Sequence, residues 1–120
     1  MSILESLKEK VLGEMPEGQS LKIIALLIKD NGGLKGLEDK FTREGHWDLF
    51  NSWITPGINQ IITVDQVQDI FGETEIQNLA NIFSISRDQV VYLLVNQLPD
   101  FVSTISMDPK AFPEYLPLLH

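Results

Sequence analysis

The sequence of 120 residues contains no cysteine, which excludes disulfide bonds, thiol catalysis and zinc sites built on thiolates. This absence fits a reducing compartment. No basic stretch followed by a clean apolar run marks a signal peptide near the N-terminus. The longest apolar run, residues 23–28, is far shorter than the roughly 18 residues that indicate a membrane span. We therefore expect a cytoplasmic protein without a membrane partner.

Positive charge is scarce, above all in the second half of the chain. The formal net charge is −8, from 9 lysines and arginines against 17 aspartates and glutamates. Within residues 54–120, Arg87 and Lys110 are the only lysine or arginine side chains. Affinity for nucleic acids comes mostly from cations that neutralise phosphates, so this balance argues against a nucleic-acid partner.

Helix start and stop signals recur along the chain. Three segments, residues 2–5, 63–66 and 86–89, place serine or threonine three positions before glutamate or glutamine, which is the pattern of a capping box. Glycine follows several of the apolar stripes and predicts helix ends, Gly72 among them, and Pro99 predicts the start of a new short helix. The expected helices cover about 2–12, 21–29, 34–44, 47–53, 64–71, 74–83, 87–98 and 99–106.

These elements predict an all-α protein, a compact array of six to eight short helices with no sheet. Residues 58–62 could be read as a strand, but a single short strand has no partner, so we expect an extended segment there. We call residues 55–62 the connector. The helices form one predicted domain over residues 1–106. Residues 107–120 form an apolar tail, in which three prolines prevent a long helix.

An ordered set of residues between positions 52 and 99 forms a distinctive pattern. Its members are Ser52-Trp53-Ile54, Gly57, Asn59-Gln60, Ile62-Thr63, Gln66, Val67, Ile70, Phe71, Gly72, Leu79-Ala80, Ser86 and Leu94 through Leu98-Pro99. On these residues the chain resembles, over residues 33–106, the YidB-like family of small bacterial proteins. The resemblance implies a multihelical array but no activity, because the family has no established biochemical function and no assigned catalytic residues. The chain departs from the family at both ends, with an apolar helix before Gly33 where glycine-rich sequence is usual, and with the tail.

Residues 76–94 have the spacing of a helix-turn-helix motif, with Ala80 in the first helix, Ser84 at the turn and Val90 packing from the second helix. In a DNA-binding protein the second helix presents base-reading groups. Here that helix carries a single cation, Arg87, and two helices that meet at a tight angle need the same spacing for packing alone. A nucleic-acid binder acting through residues 76–98 is therefore the alternative function.

Side chains able to carry out catalysis or bind metal do not form a recognisable pattern. Glu44, His46 and Asp48 are two residues apart, so they do not share a helix face, and no second internal histidine completes a transition-metal site. Phosphate-binding glycine loops and nucleophile elbows are missing. We predict no cofactor, no metal site and no enzymatic activity, although carboxylates alone can catalyse reactions.

The connector region is the first candidate binding surface. Trp47 and Trp53 are expected in the core because large aromatic side chains dominate core packing. Alternatively, Trp53 and the connector, with Gly57 and Asn59, line a groove for a partner peptide. We expect Asn59 to hold the connector through side-chain hydrogen bonds to the backbone.

The tail is the second candidate. Its side chains are too apolar to stay solvated, so it either docks on its own domain or binds a partner or a second copy of the chain. Together, the two regions predict a non-catalytic protein-interaction module, an adaptor or assembly factor, whose partner is an unidentified protein or the chain itself. The tail residues in question are Phe112, Tyr115, Leu116, Leu118 and Leu119.

Overall fold

The computed structural model describes residues 19–57 and 59–119, and the helix expected after Ser2 lies outside them. Within these ranges it contains α-helices, one short 3₁₀ helix over Pro113–Tyr115 and no strand, so the prediction of an all-α fold without a sheet is confirmed. The helices are α1 (Gln19–Asp30), α2 (Gly33–Arg43), α3 (Trp47–Ile54), α4 (Val64–Phe83), α5 (Arg87–Met107) and α6 (Leu116–Leu119).

Helix α1 lies at the centre of the fold. It contacts α2, α4, α5 and α6, as expected for a helix that is apolar on nearly all sides. Its buried side chains join one continuous hydrophobic core with those of the surrounding helices. The α1 residues without solvent exposure are Ile23, Ile24, Ala25, Leu27 and Ile28.

Aromatic side chains connect α2, α3 and α4. The ring of Phe41 lies 5.3 Å from Phe50, 5.4 Å from Trp53 and 6.0 Å from Phe71, measured between ring centroids. Trp53 is fully buried, as predicted. The same prediction for Trp47 is wrong, because its side chain is 44% exposed. Trp47 is the first residue of α3, and the buried residues of that helix are Leu49, Phe50 and Trp53.

The predicted helix end at Gly72 is a kink. Gly72 has φ 79° and ψ 157°, a backbone conformation that favours glycine. The helix resumes without an intervening loop, so α4 is 20 residues long and includes both of the helices that we expected there.

The predicted break at Pro99 is wrong. Helix α5 continues through Pro99 to Met107 and is 21 residues long. A proline inside a helix costs about 3 kcal/mol because it removes one backbone hydrogen bond and crowds the preceding turn. Here Pro99 and its neighbours Leu98, Phe101 and Val102 are buried, and burial of apolar surface offsets that cost. The expectation that all helices are short fails at α5, whereas the kink at Gly72 separates the two short helices expected within α4.

By length and composition, α5 also passes a simple test for a membrane-spanning helix, with a mean hydropathy of 1.2. This is weak support for a membrane span, because the core helix of a soluble protein passes the same test and 44% of the tested window is buried.

Both capping boxes that fall within the described residues are confirmed. At the start of α4, Gln66 N donates to Thr63 Oγ1 and Thr63 N donates to Gln66 Oε1. Ser86 and Gln89 make the same pair of bonds at the start of α5. These bonds satisfy backbone donors that a helix start otherwise leaves unpaired.

A half-buried polar network joins α4 to α1 and α2. Asn31 Nδ2, just after α1, donates to Leu27 O and to Glu75 Oε1, at 2.8 and 2.7 Å. Lys40 Nζ of α2 lies 3.1 Å from Glu75 Oε2. Nearby, α2 approaches α1 so closely that a Cβ atom at Gly36 would overlap the backbone oxygen of Asn31. Gly36 is therefore required for the contact between these two helices.

The tail lies against its own domain, which is the first of the two arrangements expected from the sequence. Phe112 stacks on Phe101 of α5 with 4.7 Å between ring centroids. Helix α6 contacts α1 and α2, and Leu119 is fully buried. The 3₁₀ turn followed by the one-turn helix α6 agrees with the expectation that the prolines prevent a long helix.

Candidate protein-interaction surface

The described part of the connector begins with a bend after α3 and has no regular structure before α4. Residues 55–57 form the bend, where Pro56 and Gly57 are exposed. Residues 59–63 lie in neither helix, strand, turn nor bend. Thr63, directly after the connector, has the extended conformation of a helix N-cap. The absence of a strand in residues 59–63 agrees with the expectation that this segment forms no sheet.

Two side chains of α3 hold the connector at Gln60. Trp53 Nε1 donates to Gln60 O at 2.9 Å, and Gln60 N donates to Ser52 Oγ at 3.0 Å. Ser52 Oγ in turn donates to Leu49 O. The prediction that Asn59 has this role is wrong, because its half-buried side chain makes no hydrogen bond to another described residue. The connector is therefore fixed at Gln60 and again at the capping box of Thr63.

Between these fixed points, consecutive isoleucines point to opposite sides. Ile62 is fully buried in the core, whereas Ile61 is 80% exposed. This alternation is typical of extended backbone, in which successive side chains lie on opposite faces. Val64, at the start of α4, is also partly exposed. The most exposed large apolar side chain of the described residues thus lies on a segment fixed at both ends.

A shallow groove of about 350 Å³ runs between α3 and the connector. Its lining is largely polar, and Trp53 lies beneath it without lining it, because the indole ring is fully buried. Of the residues that the sequence placed in this groove, Gly57 lines it, whereas Trp53 and Asn59 do not. The lining residues are Asp48, Asn51, Ser52, Thr55, Pro56, Gly57 and Gln60.

The candidate residues of the tail lie in a different environment. Phe112, Tyr115 and Leu116 are half-buried and Leu119 is buried. Phe112 lies beside a small groove of about 230 Å³ between α1 and α5. Phe112, Tyr115 and Leu119 already pack in or against the core of their own domain, so the tail exposes less apolar surface than its composition suggests.

In the helix-turn-helix region, the turn falls where the sequence places it. Helix α4 ends at Phe83, Ser84 is left-handed with φ 56°, and α5 begins at Arg87. The Arg87 guanidinium forms ion pairs with Glu73 and Asp88. The hydrogen bond to Glu73 raises the pKa of Arg87 above its ordinary value, so the arginine stays cationic and paired.

His46 takes part in a contact that the sequence did not indicate. Its Nε2 atom lies 2.8 Å from Asp69 Oδ2, so the start of α3 is joined to α4. Residues 23 apart in sequence leave no local signal for such a pair. Among residues 19–57 and 59–119, no group of three or more acids and histidines is arranged to hold a metal ion.

Comparison with known proteins agrees with the resemblance seen in the sequence. The family model described as YidB-like protein matches residues 3–114, which extends the resemblance beyond residues 33–106 in both directions. Searches of the curated proteins and of the solved structures found no match. Because the family model covers most of its length, the chain belongs to the YidB-like protein family.

Proposed function

We propose that this protein is a non-catalytic interaction module, an adaptor or assembly factor of the bacterial cytoplasm, and that its protein partner binds the connector. One observation carries the proposal: Ile61 is 80% exposed on a segment fixed at Gln60 and Thr63. Isolated exposed apolar side chains are common, so exposure alone is weak support. What distinguishes Ile61 from an ordinary exposed isoleucine is that hydrogen bonds fix the backbone on both sides of it.

Ordering a loop on binding lowers affinity, and a segment ordered in advance avoids this cost. The connector is held by the indole of a fully buried tryptophan and by a serine of the same helix. A partner therefore meets Ile61 in a defined position, next to the polar groove formed by α3 and the connector. An apolar anchor beside polar groups is the usual anatomy of a protein interface.

The nucleic-acid alternative has less support. The single cation of the candidate recognition helix, Arg87, is paired with Glu73 and Asp88. Tyr92 and Asn96 are half-buried, and Asn96 Nδ2 donates to Tyr92 O of the same helix. Binding to phosphates would have to break these ion pairs in a chain with a net charge of −8.

Site-specific photo-crosslinking in the native cells tests the proposal. A photoreactive amino acid replaces Ile61 in one variant and Ile82 in a matched control, because Ile82 is also a strongly exposed isoleucine but lies at the other end of α4. We expect a specific protein adduct from position 61 and none from position 82. Identical adducts from both positions, or none from position 61, would contradict the proposal.

A further inference from the structure

We propose that a pocket between α1, α2 and the second half of α4 binds a free α-amino acid with an apolar side chain. The pocket has a volume of about 370 Å³, which lies within the usual range of small-molecule sites. It shares no lining residue with the groove at the connector. The proposal is therefore independent of the proposed function.

One wall of the pocket comes from the part of α4 that follows the kink at Gly72. Residues four positions apart lie on the same side of a helix. Thr74, Asn78 and Ile82 have this spacing, and so do Glu75 and Leu79. All five line the pocket, opposite the end of α1 and one side chain of α2. The wall therefore combines an acid, an amide and a hydroxyl with apolar side chains.

The pocket offers both signs of charge to a ligand. Lys40 Nζ lies 3.1 Å from Glu75 Oε2, and the two side chains are only 20% and 21% exposed. An ammonium group has three N–H donors, and Glu75 is the only hydrogen-bond partner of Lys40 Nζ among the described residues. Asp30, at the end of α1, is exposed and has no ion pair or hydrogen bond of its side chain within the same residues.

This charge pattern favours a zwitterion over a simple ion. An anion would be attracted by Lys40 but repelled by Glu75 and Asp30, whereas a cation would be attracted by Asp30 but repelled by Lys40. An α-amino acid carries a carboxylate that can accept from Lys40 and an ammonium group that can donate to Asp30. Such charge-assisted hydrogen bonds are about twice as strong as neutral ones.

The apolar part of the lining defines the side chain of the ligand. Phe71 and Leu79 are 5% and 1% exposed, and Ile82 is 60% exposed. A ligand side chain that covers Ile82 and contacts the other two removes apolar surface from water. Leucine, methionine and phenylalanine therefore fit the pocket better than glycine or a charged amino acid.

Titration of the full-length protein with L-leucine, followed by NMR, tests the proposal. We expect the amide signals of Glu75, Asn78 and Ile82 to shift, with a Kd of about 1 mM or tighter. Leucinamide lacks the carboxylate and isocaproate lacks the ammonium group, so each should bind at least about tenfold more weakly. Glycine should also bind at least about tenfold more weakly, because it has no apolar side chain.

Three protein variants locate the charges that bind the ligand. Asp30→Asn removes the free carboxylate at an exposed position and should weaken leucine binding about tenfold. Asp48→Asn is the matched control, because Asp48 is also exposed and unpaired among the described residues but lines the groove at the connector. It should leave leucine binding unchanged. Lys40→Met keeps the apolar stem without the ammonium group and should abolish the preference for leucine over leucinamide.

Three results would overturn the proposal. The first is the absence of signal shifts around the pocket with leucine at up to about 20 mM. The second is equal affinity for leucine, leucinamide and isocaproate. The third is the same loss of binding in Asp30→Asn and Asp48→Asn. None of these results bears on crosslinking from position 61, so this proposal and the proposed function can fail separately.

Discussion

The connector and the tail are both apolar segments without long helices, yet one presents an isoleucine to solvent and the other packs on its own domain. In the connector, hydrogen bonds fix the backbone at Gln60 and Thr63, and between them Ile62 is buried while Ile61 is exposed, as in extended backbone, whose successive side chains lie on opposite faces. The tail instead turns through a 3₁₀ helix and α6, which lets Phe112 and Leu119 reach the same core. Backbone geometry, rather than apolar content, decides which segment is available to a partner.

The largest expected effect separates the two neighbouring isoleucines of the connector. Ile62→Asp buries an unpaired carboxylate and should destabilise the fold by at least about 4 kcal/mol. Ile61→Asp should change the free energy of unfolding by less than about 0.5 kcal/mol, because the side chain is already in water. Urea denaturation of both variants gives the comparison, and similar losses would mean that Ile61 is buried in solution.

Removal of the tail should have the second-largest effect on stability. Deletion of residues 108–120 exposes the apolar surface that Leu119 and Phe112 cover and should cost about 3–5 kcal/mol. The corresponding fall in Tm is roughly 12 °C or more. Lys110→Ala, at an exposed tail position, is the control and should leave Tm unchanged. An unchanged Tm in the deletion variant would show that the tail does not dock on its own domain.

Substitution of the two tryptophans should change stability less, and the same change can be made at both positions. Trp53→Phe keeps an aromatic ring but removes the N–H donor to Gln60 O and leaves a cavity, so we expect a loss of about 2 kcal/mol. Trp47→Phe changes a side chain that is 44% exposed and should cost less than about 0.5 kcal/mol. Thermal and urea unfolding measure both. Equal losses would contradict the assignment of Trp53 as the support of the connector.

The smallest expected effect concerns the polar contact at Gln60. Ser52→Ala removes the acceptor of the Gln60 amide and should cost about 0.5–1 kcal/mol, since water can replace the hydroxyl. Hydrogen exchange at the Gln60 amide should become faster. Asn59→Ala serves as the control and should leave that exchange rate unaltered. Faster exchange in both variants would mean that Asn59 also holds the connector, as the sequence led us to expect.

Local signals predicted much of this fold. The capping boxes at Thr63 and Ser86 marked the helix starts because the bonds that they form lie within one turn. At Gly72 the sequence predicted the position of the break but not that the helix resumes at once. At Pro99 it failed, because burial of the surrounding side chains outweighs the cost of proline in a helix.

Contacts between distant residues could not be predicted from the sequence. The pairs Lys40–Glu75 and His46–Asp69 join helices over 35 and 23 residues and follow no spacing rule. The sequence predicted an extended segment at residues 58–62. It did not predict which of the two neighbouring isoleucines, Ile61 or Ile62, is buried. The connector was therefore predicted as a candidate surface, but the exposure of Ile61 could be seen only in the structure.

The most direct test of the central claim is crosslinking from position 61 compared with position 116 of the tail, in the same cells and at the same expression level. Leu116 is half-buried in a tail that packs on its own domain, whereas Ile61 is 80% exposed. The account predicts a specific adduct with a second protein from position 61 and only intramolecular products from position 116. A partner adduct from position 116 and none from position 61 would contradict it.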